Sequence, residues 1–208
     1  MTIDDSSLFE QPLNFVNRVE EGKHIVLFYE EIEYAKMISF QFIKSGLVHH
    51  EDCSYLSEEE VEAVKREMSD SGIDVNAYVD NNLLHIFQVP SLVDYERGTD
   101  IKKEQDFAQT ILKDPSKIRK SDRIVLRCVY KINTEEQIKS NLKWEHDYRF
   151  KNLKDAGTTV VCTYPVFDII PTISDSGPYG KWMNTLLETY DGVIFARKFW
   201  KGVAFNLA

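Results

Sequence analysis

The most regular pattern in the chain is an apolar segment that leads directly into an amphipathic one. Residues His24–Tyr29 are apolar without alternation, which is typical of a parallel strand covered on both faces. Gly46 lies near the end of the next segment and predicts the C-terminal end of a helix. In that segment, apolar residues share one helical face: Ile32, Ala35, Ile38, Phe42 and Ile43.

Helical and extended patterns alternate through the rest of the chain. Ser57-Glu58-Glu59-Glu60 has the form of a capping box, so it predicts a helix that begins at Ser57 and stops near Gly72. Thr134-Glu135-Glu136-Gln137 opens a long helix to about Asp155 in the same way. Other predicted helices cover residues 7–20, 76–82, 101–112 and 181–189. Further strands are predicted at Cys53–Leu56, Leu83–Val89, Ile124–Val129, Thr159–Tyr164, Gly192–Arg197 and Val203–Leu207.

This alternation predicts the fold class. Strands separated by helices indicate an α/β protein with a mostly parallel sheet and helices on both faces, which makes three layers. The last two strands, joined by residues 198–202, predict an antiparallel hairpin at the C-terminal end. A chain of 208 residues fits a single domain, 1–208, and residues 90–120 are interpreted as an insertion within it.

The junction between the first strand and the first long helix lacks a phosphate-binding loop. A nucleotide-binding junction would read G-x-x-x-x-G-K-[ST], in which glycines let backbone N–H groups approach the phosphates. This chain has Tyr29-Glu30-Glu31-Ile32-Glu33-Tyr34 instead. Three carboxylates suit the positive end of a helix dipole but repel phosphate. The fold is therefore predicted to resemble an ATPase without ATP chemistry.

Composition excludes several classes of protein. A net charge of −9 argues against a general binder of nucleic acid or anionic membranes, so we expect no direct partner of either kind. The three cysteines lie far apart and form no C-x-x-C, which fits a reducing cytosol without a disulfide framework or zinc site. The acidic N-terminus is unlike a signal peptide, and no uncharged apolar stretch is long enough to span a bilayer. We expect a soluble cytoplasmic protein.

The order of short motifs is similar to that of a known family. The motifs are His24–Tyr29, Phe42-Ile43-x-x-Gly46-Leu47, Glu51-x-Cys53-x-Tyr55 and, near the end, Cys162-Thr163-Tyr164. Over about residues 20–207 the chain resembles the MEDS family, the sensory domain of the regulator DcmR. The resemblance implies a RecA/KaiC-like fold that lacks the phosphate loop and serves as an input module for signal transduction and transcription regulation. It implies that the signal passes in trans to a separate signalling or regulatory protein.

Candidate ligand-binding residues follow from the expected sheet. Ligands of open parallel sheets bind outside the carboxyl ends of the strands. Tyrosines at several of these ends suit a small, mostly apolar pocket with a few polar anchors for a small-molecule ligand. The alternative is that tyrosines simply suit strand ends. The residues expected to line the pocket are Tyr29, Glu30, Tyr55, Tyr130, Cys162 and Tyr164.

The long helix adds two further candidates. Glu145 and Arg149 lie within about 60° of each other around the helix, inside its apolar stripe. Burying an ion pair costs several kcal/mol unless all its donors and acceptors find partners, so such a pair is often retained for specificity or ligand contact. The alternative is a salt bridge that ties the helix to the sheet edge.

The sequence gives no support for catalysis, metal binding or a cofactor. The fourth strand carries Arg127 and Tyr130 near the position where a magnesium-binding carboxylate would be expected. We therefore predict a non-catalytic sensory or regulatory module without a cofactor. One alternative is a degenerate KaiC-like scaffold for protein interactions. The other is an enzyme that uses Glu145 or Cys162, and whether Cys162 and His24 form a dyad is left open. Phe199 and Trp200 suggest a homodimer through the terminal hairpin.

Overall fold

A computed structural model describes residues 11–88, 123–127, 157–165, 189–197 and 202–206. The described helices are α1 (Pro12–Arg18), α2 (Ile32–Val48), α3 (Val61–Asp70) and α4 (Val75–Asp80). The described strands are β1 (His24–Tyr29), β2 (Cys53–Ser57), β3 (Leu84–Gln88), β4 (Arg123–Arg127), β5 (Thr159–Pro165), β6 (Gly192–Ala196) and β7 (Val203–Asn206). The predicted helices at 101–112 and 134–155, the insertion at 90–120 and most of the predicted helix at 181–189 lie outside these residues.

The described strands form one sheet in the order β3-β2-β4-β5-β1-β6-β7. Six strands run parallel, and β7 pairs antiparallel with β6 at one edge. The prediction of a mostly parallel α/β sheet is confirmed. Since parallel strands end at the same edge, the carboxyl ends of β1, β2, β4, β5 and β6 are neighbours.

The two faces of the sheet are set by the alternation of side chains along each strand. Ile25 and Leu27 of β1 pack in one core with Phe42 of α2 and Tyr55 of β2, and we call this side of the sheet the α2 face. All four described helices contribute to that side of the molecule. Alternate residues, such as Val26 in β1, point to the opposite face and are buried as well. Burial on both faces explains why β1 is apolar without alternation.

Gly46 has a different role from the one predicted. It lies inside α2, which continues to Val48, so the prediction that it ends the helix is wrong. A Cβ atom at Gly46 would lie 2.7 Å from Cδ of Arg123 and 2.7 Å from Sγ of Cys53. The glycine therefore permits close approach of the helix to the sheet. His49 is the C-cap residue of α2, and the following His50 has a positive φ of 61°.

The prediction that a helix begins at the Ser57 capping box is also wrong. Ser57 is the last residue of β2, where it pairs with Arg127 of β4 and Gln88 of β3, and α3 begins only at Val61. The Ser57 hydroxyl accepts a hydrogen bond from the backbone N–H of Glu59 at 3.3 Å, which organises a turn rather than a helix cap. Residues 58–60 therefore connect β2 to α3 outside the carboxyl end of β2.

Arg123 pins the opposite, amino edge of the sheet. This buried side chain forms an ion pair with Glu51 and donates from one terminal nitrogen to the carbonyl oxygens of Val16 and Phe42, each at 3.4 Å. Its guanidinium carbon also lies 4.9 Å from the centre of the Phe42 ring. One cation thus joins β4 to α1, α2 and the segment before β2. This amino edge lies opposite the strand ends at which ligand binding was predicted.

Candidate functional site

The junction between β1 and α2 is short and acidic. Tyr29 ends β1, Glu31 is the N-cap residue of α2, and the side chain of Glu31 makes no capping hydrogen bond. Glu30 donates its backbone N–H to the carbonyl of Ala196 at 3.3 Å, and its carboxylate accepts from Nε of Arg197 at 2.8 Å. Residues 29–34 contain neither glycine nor lysine. The junction therefore lacks the glycines and the lysine with which a phosphate-binding loop holds a phosphate chain.

A chain of alternating charges starts at the carboxyl end of β4. Arg127 is only 5% exposed and forms an ion pair with Glu59, which follows β2. The other oxygen of Glu59 lies 2.7 Å from Nζ of Lys36 in α2, and Lys36 lies 2.7 Å from a carboxylate oxygen of Glu67 in α3. This charge chain connects the sheet edge to two helices. Arg127 is near the position where the sequence led us to expect a magnesium-binding carboxylate in an active ATPase, and a buried cation there opposes binding of Mg²⁺.

The two tyrosines of the α2 face lie beside the charge chain. Tyr55 is fully buried, and its ring centre lies 5.5 Å from that of Phe40. Burial raises the pKa of the Tyr55 phenol far above its ordinary value, and the neighbouring Arg127 cation lowers it by less. Tyr29 is also close enough to Arg127 to favour its charged form. The phenol of Tyr55 is therefore neutral at physiological pH and can donate a hydrogen bond.

The two cations of the charge chain, the half-buried Lys36 and the buried Arg127, keep their charge. Burial lowers the pKa of Lys36, but its carboxylate partners Glu59 and Glu67 raise that pKa by more. Burial likewise lowers the pKa of Arg127, while Tyr55 and Glu59 raise it by more. The charge chain therefore contains two cations and two carboxylates, and the net charge of these four side chains is close to zero.

The predicted pocket residues are divided between the two faces of the sheet. Val161 of β5 belongs to the core under α2, so Cys162 and Tyr164 point to the opposite face from Tyr55. The Tyr164 ring centre lies 6.3 Å from that of Phe28, whose ring in turn stacks on Phe195 at 5.3 Å. The five strand-end candidates among the described residues, Tyr29, Glu30, Tyr55, Cys162 and Tyr164, are therefore not brought together around one pocket.

Cys162 and His24 do meet on that opposite face. Nε2 of His24 lies 3.2 Å from Sγ of Cys162, and the His24 ring centre lies 4.5 Å from that of Tyr190. The distance suits a nucleophile and its base. Both side chains are nevertheless buried, Cys162 being 2% exposed and His24 5% exposed. In the described part of the chain, the pair has the spacing of a catalytic dyad but not the access that a substrate needs.

Glu30 adjoins a different feature, a small apolar recess beside the carboxyl end of β6. Arg197, the ion-pair partner of Glu30, is one of the residues that line this recess. The recess is formed by the start of α1, the first turns of α2 and the segments that flank β6 and β7. It is lined by Gln11, Pro12, Leu13, Tyr34, Met37, Ile38, Ala196, Arg197 and Gly202.

Tyr130, Glu145 and Arg149 lie outside the described residues, as do Phe199 and Trp200 of the predicted dimer contact. Sequence reasoning noted Arg127 but did not select it as a site residue, and it missed Lys36, Glu59 and Glu67. The only feature of the sequence that could have indicated this site was the buried-strand pattern that ends on a charged residue at Arg127.

In the described residues no group of three or more His, Cys, Asp or Glu side chains could hold a metal ion. None of the helices described is long and apolar enough to cross a membrane.

Comparisons with known proteins agree with this fold. The chain is similar to a KaiC-like protein of the hyperthermophilic archaeon Pyrococcus horikoshii, with 20% sequence identity and a TM-score of 0.58. The match covers 85% of this chain and 73% of the archaeal protein, and at this identity it confirms the KaiC-like fold alone. A search of curated proteins finds no match. The model of the MEDS family, described as the methanogen/methylotroph, DcmR sensory domain, matches residues 23–175. The chain therefore belongs to the MEDS family of sensory domains.

Proposed function

We propose that this protein is a non-catalytic sensory module that binds a small molecule at the carboxyl edge of its sheet and passes the signal to a separate protein. Membership of a sensory-domain family supports the general role. The observation that carries the specific proposal is the charge chain from Arg127 through Glu59 and Lys36 to Glu67. It occupies the carboxyl edge, outside which open parallel sheets bind ligands, and it links that edge to α2 and α3.

The same charges argue against turnover of ATP. Hydrolysis in this class of fold needs donors around the phosphates and a carboxylate to hold Mg²⁺. Here carboxylates stand at the phosphate position, at Glu30 and Glu31, and a cation stands at the metal position, at Arg127. At both positions the charge is opposite in sign to the charge that ATP hydrolysis needs. A site with these charges suits binding of a ligand rather than hydrolysis of ATP. The ion pairs can transmit ligand binding, because moving one charged side chain alters the electrostatic interactions of the next.

A ligand retained through purification would test the sensory proposal. Native mass spectrometry of the protein isolated from its own cells is expected to show the chain with a bound small molecule, released on acid denaturation. The Arg127→Met variant, prepared identically, should carry less of that molecule, and Lys65→Met is a matched control because Lys65 belongs to an exposed ion pair with Glu62. If all three samples showed only the mass of the polypeptide without a bound molecule, the proposal of a small-molecule sensor would be contradicted.

One observation favours a second candidate, a module for protein interaction. Tyr55 is fully buried and Arg127 nearly so, which means that these strand-end side chains are closed to solvent. If they stay closed, the outer surface of the protein carries the function. An empty native mass combined with stable association to a second protein would favour this candidate.

A further inference from the structure

Among the described residues, three buried hydrogen-bond donors near the carboxyl edge have no hydrogen-bond partner. They are the hydroxyl of Tyr55, Nε of Arg127 and the hydroxyl of Thr163, and Thr163 is 2% exposed. Oε2 of Glu59 also makes no hydrogen bond, although it forms an ion pair with Arg127. Leaving a buried donor unsatisfied is costly, and each native case requires an explanation. Three such donors at one place indicate that, among the described residues, this edge of the sheet is short of acceptor oxygens.

The sheet register places these groups together. Tyr55 and Arg127 lie on neighbouring strands, because Tyr55 pairs with Val125 and Ser57 pairs with Arg127. Thr163 follows Cys162, the partner of Leu126, and is therefore next to Arg127 on the other side. Side chains alternate along each strand, so all three groups point to the α2 face, toward which Val125 and Val161 also point. The three groups, which we call the donor cluster, span β2, β4 and β5.

The chemistry of the donor cluster defines what it can bind. A phenol, a guanidinium and an aliphatic hydroxyl all donate hydrogen bonds, and the guanidinium matches the two oxygens of a carboxylate in a planar fork. A ligand with clustered acceptor oxygens and one negative charge would satisfy all three. Polyphosphates are disfavoured because the acidic residues Glu30 and Glu31 lie at the adjoining strand end.

We propose that the donor cluster binds the carboxylate of a small monocarboxylic acid; this assignment of ligand class rests on the sensory function proposed above. The ligand carboxylate replaces Glu59 on Arg127, and Glu59 stays with Lys36. Lys36 then gives up Glu67, whose side chain is 41% exposed and can turn to solvent. Arg127, Glu59 and Lys36 each keep a partner of opposite charge, Glu67 is hydrated, and α3 loses its ionic contact with α2. Occupancy at the sheet edge is thereby converted into a change at a surface helix.

The experiment measures binding of trifluoroacetate to the whole chain by fluorine NMR, with acetate as competitor. Saturable binding displaced by acetate is expected, with at least a tenfold weaker affinity in Tyr55→Phe and in Arg127→Met. The matched control is Thr158→Val, because Thr158 also carries a buried hydroxyl without a partner but precedes β5 at its amino end. Thr158→Val should bind the probe as the parent does. Thr163→Val should weaken binding to a similar extent as Tyr55→Phe.

A second readout separates a binding role from a structural one. Removing an unsatisfied hydroxyl is expected to raise the melting temperature of the protein without probe in both Tyr55→Phe and Thr158→Val. Only Thr158→Val should keep the further rise that acetate produces. Equal binding by all variants, no saturable binding, or equally tight binding of chloride or inorganic phosphate would overturn the carboxylate assignment. A neutral molecule retained in native mass spectrometry would overturn it as well, while leaving the sensory function intact.

Discussion

Replacement of Arg123 by methionine is expected to lower the free energy of unfolding by about 3 kcal/mol, near the lower end of the range for breaking a buried ion pair. The change removes the ion pair with Glu51, the bonds to two backbone carbonyls and the contact with the Phe42 ring. Glu51, which is 18% exposed, is left without its cation. Methionine keeps much of the apolar contact, so the loss reports mainly on charge and hydrogen bonding. Urea unfolding at neutral pH measures it.

Two variants make the Arg123 experiment interpretable. Lys65→Met removes a cation from the exposed pair with Glu62 and should cost less than about 1 kcal/mol. Adding Glu51→Leu to Arg123→Met should restore at least half of the loss, since it removes the unpaired carboxylate. A loss in Arg123→Met no larger than that in Lys65→Met would show that Arg123 does not join the helices to the sheet.

Replacement of Gly46 by valine is expected to cost about 2–3 kcal/mol, the upper range for overpacking a core. The first added carbon alone would lie 2.7 Å from both Arg123 and Cys53, which is closer than van der Waals contact allows. Both neighbours are held in place, Arg123 by its ion pair and Cys53 by strand pairing on two sides. The helix must therefore move away from the sheet.

The matched control for Gly46 is a valine on the same helix. Lys44 is half-buried, and Lys44→Val tests only the helix preference of valine, which should cost less than about 1 kcal/mol. Thermal unfolding of both variants gives the comparison. If Gly46→Val were as stable as Lys44→Val, the close approach of α2 to β2 and β4 would be refuted.

The fold was predictable where burial alone determines structure. β1 was predicted from its unbroken apolar run, and its bounds, His24–Tyr29, are those of the structure. The apolar stripe of α2 contains Ala35, Ile38 and Phe42, and these residues are buried in the core. Such patterns are readable because an apolar side chain has the same preference wherever its neighbours come from.

Local signals failed where distant contacts override them. Ser57 has the sequence of a helix cap, but parallel pairing with strands on both sides keeps it extended. Gly46 has the sequence of a helix end, but its contacts are with Arg123, which lies 77 positions further along the chain (123 minus 46). In both cases tertiary pairing competes with a preference worth about 1 kcal/mol and wins.

The candidate site was only partly predictable for the same reason. Tyr29 and Tyr55 were selected as strand-end residues, and both lie beside Arg127 on the α2 face. Lys36 and Glu59 were missed because their link is an ion pair between a helix and a turn that are far apart in sequence. Charged residues on a helix usually indicate a solvated face, so nothing local distinguished Lys36 from its neighbours.

The proposed non-catalytic function depends most directly on the charges at the strand-end site. Isothermal titration of the whole chain with Mg·ATP, followed by a phosphate-release assay on the same sample, tests whether these charges exclude ATP turnover. We expect no saturable heat and no phosphate release above that of buffer, because Glu30 and Glu31 oppose the phosphates and Arg127 opposes the metal. Saturable binding of Mg·ATP, or phosphate release that is lost in Arg127→Met, would contradict it.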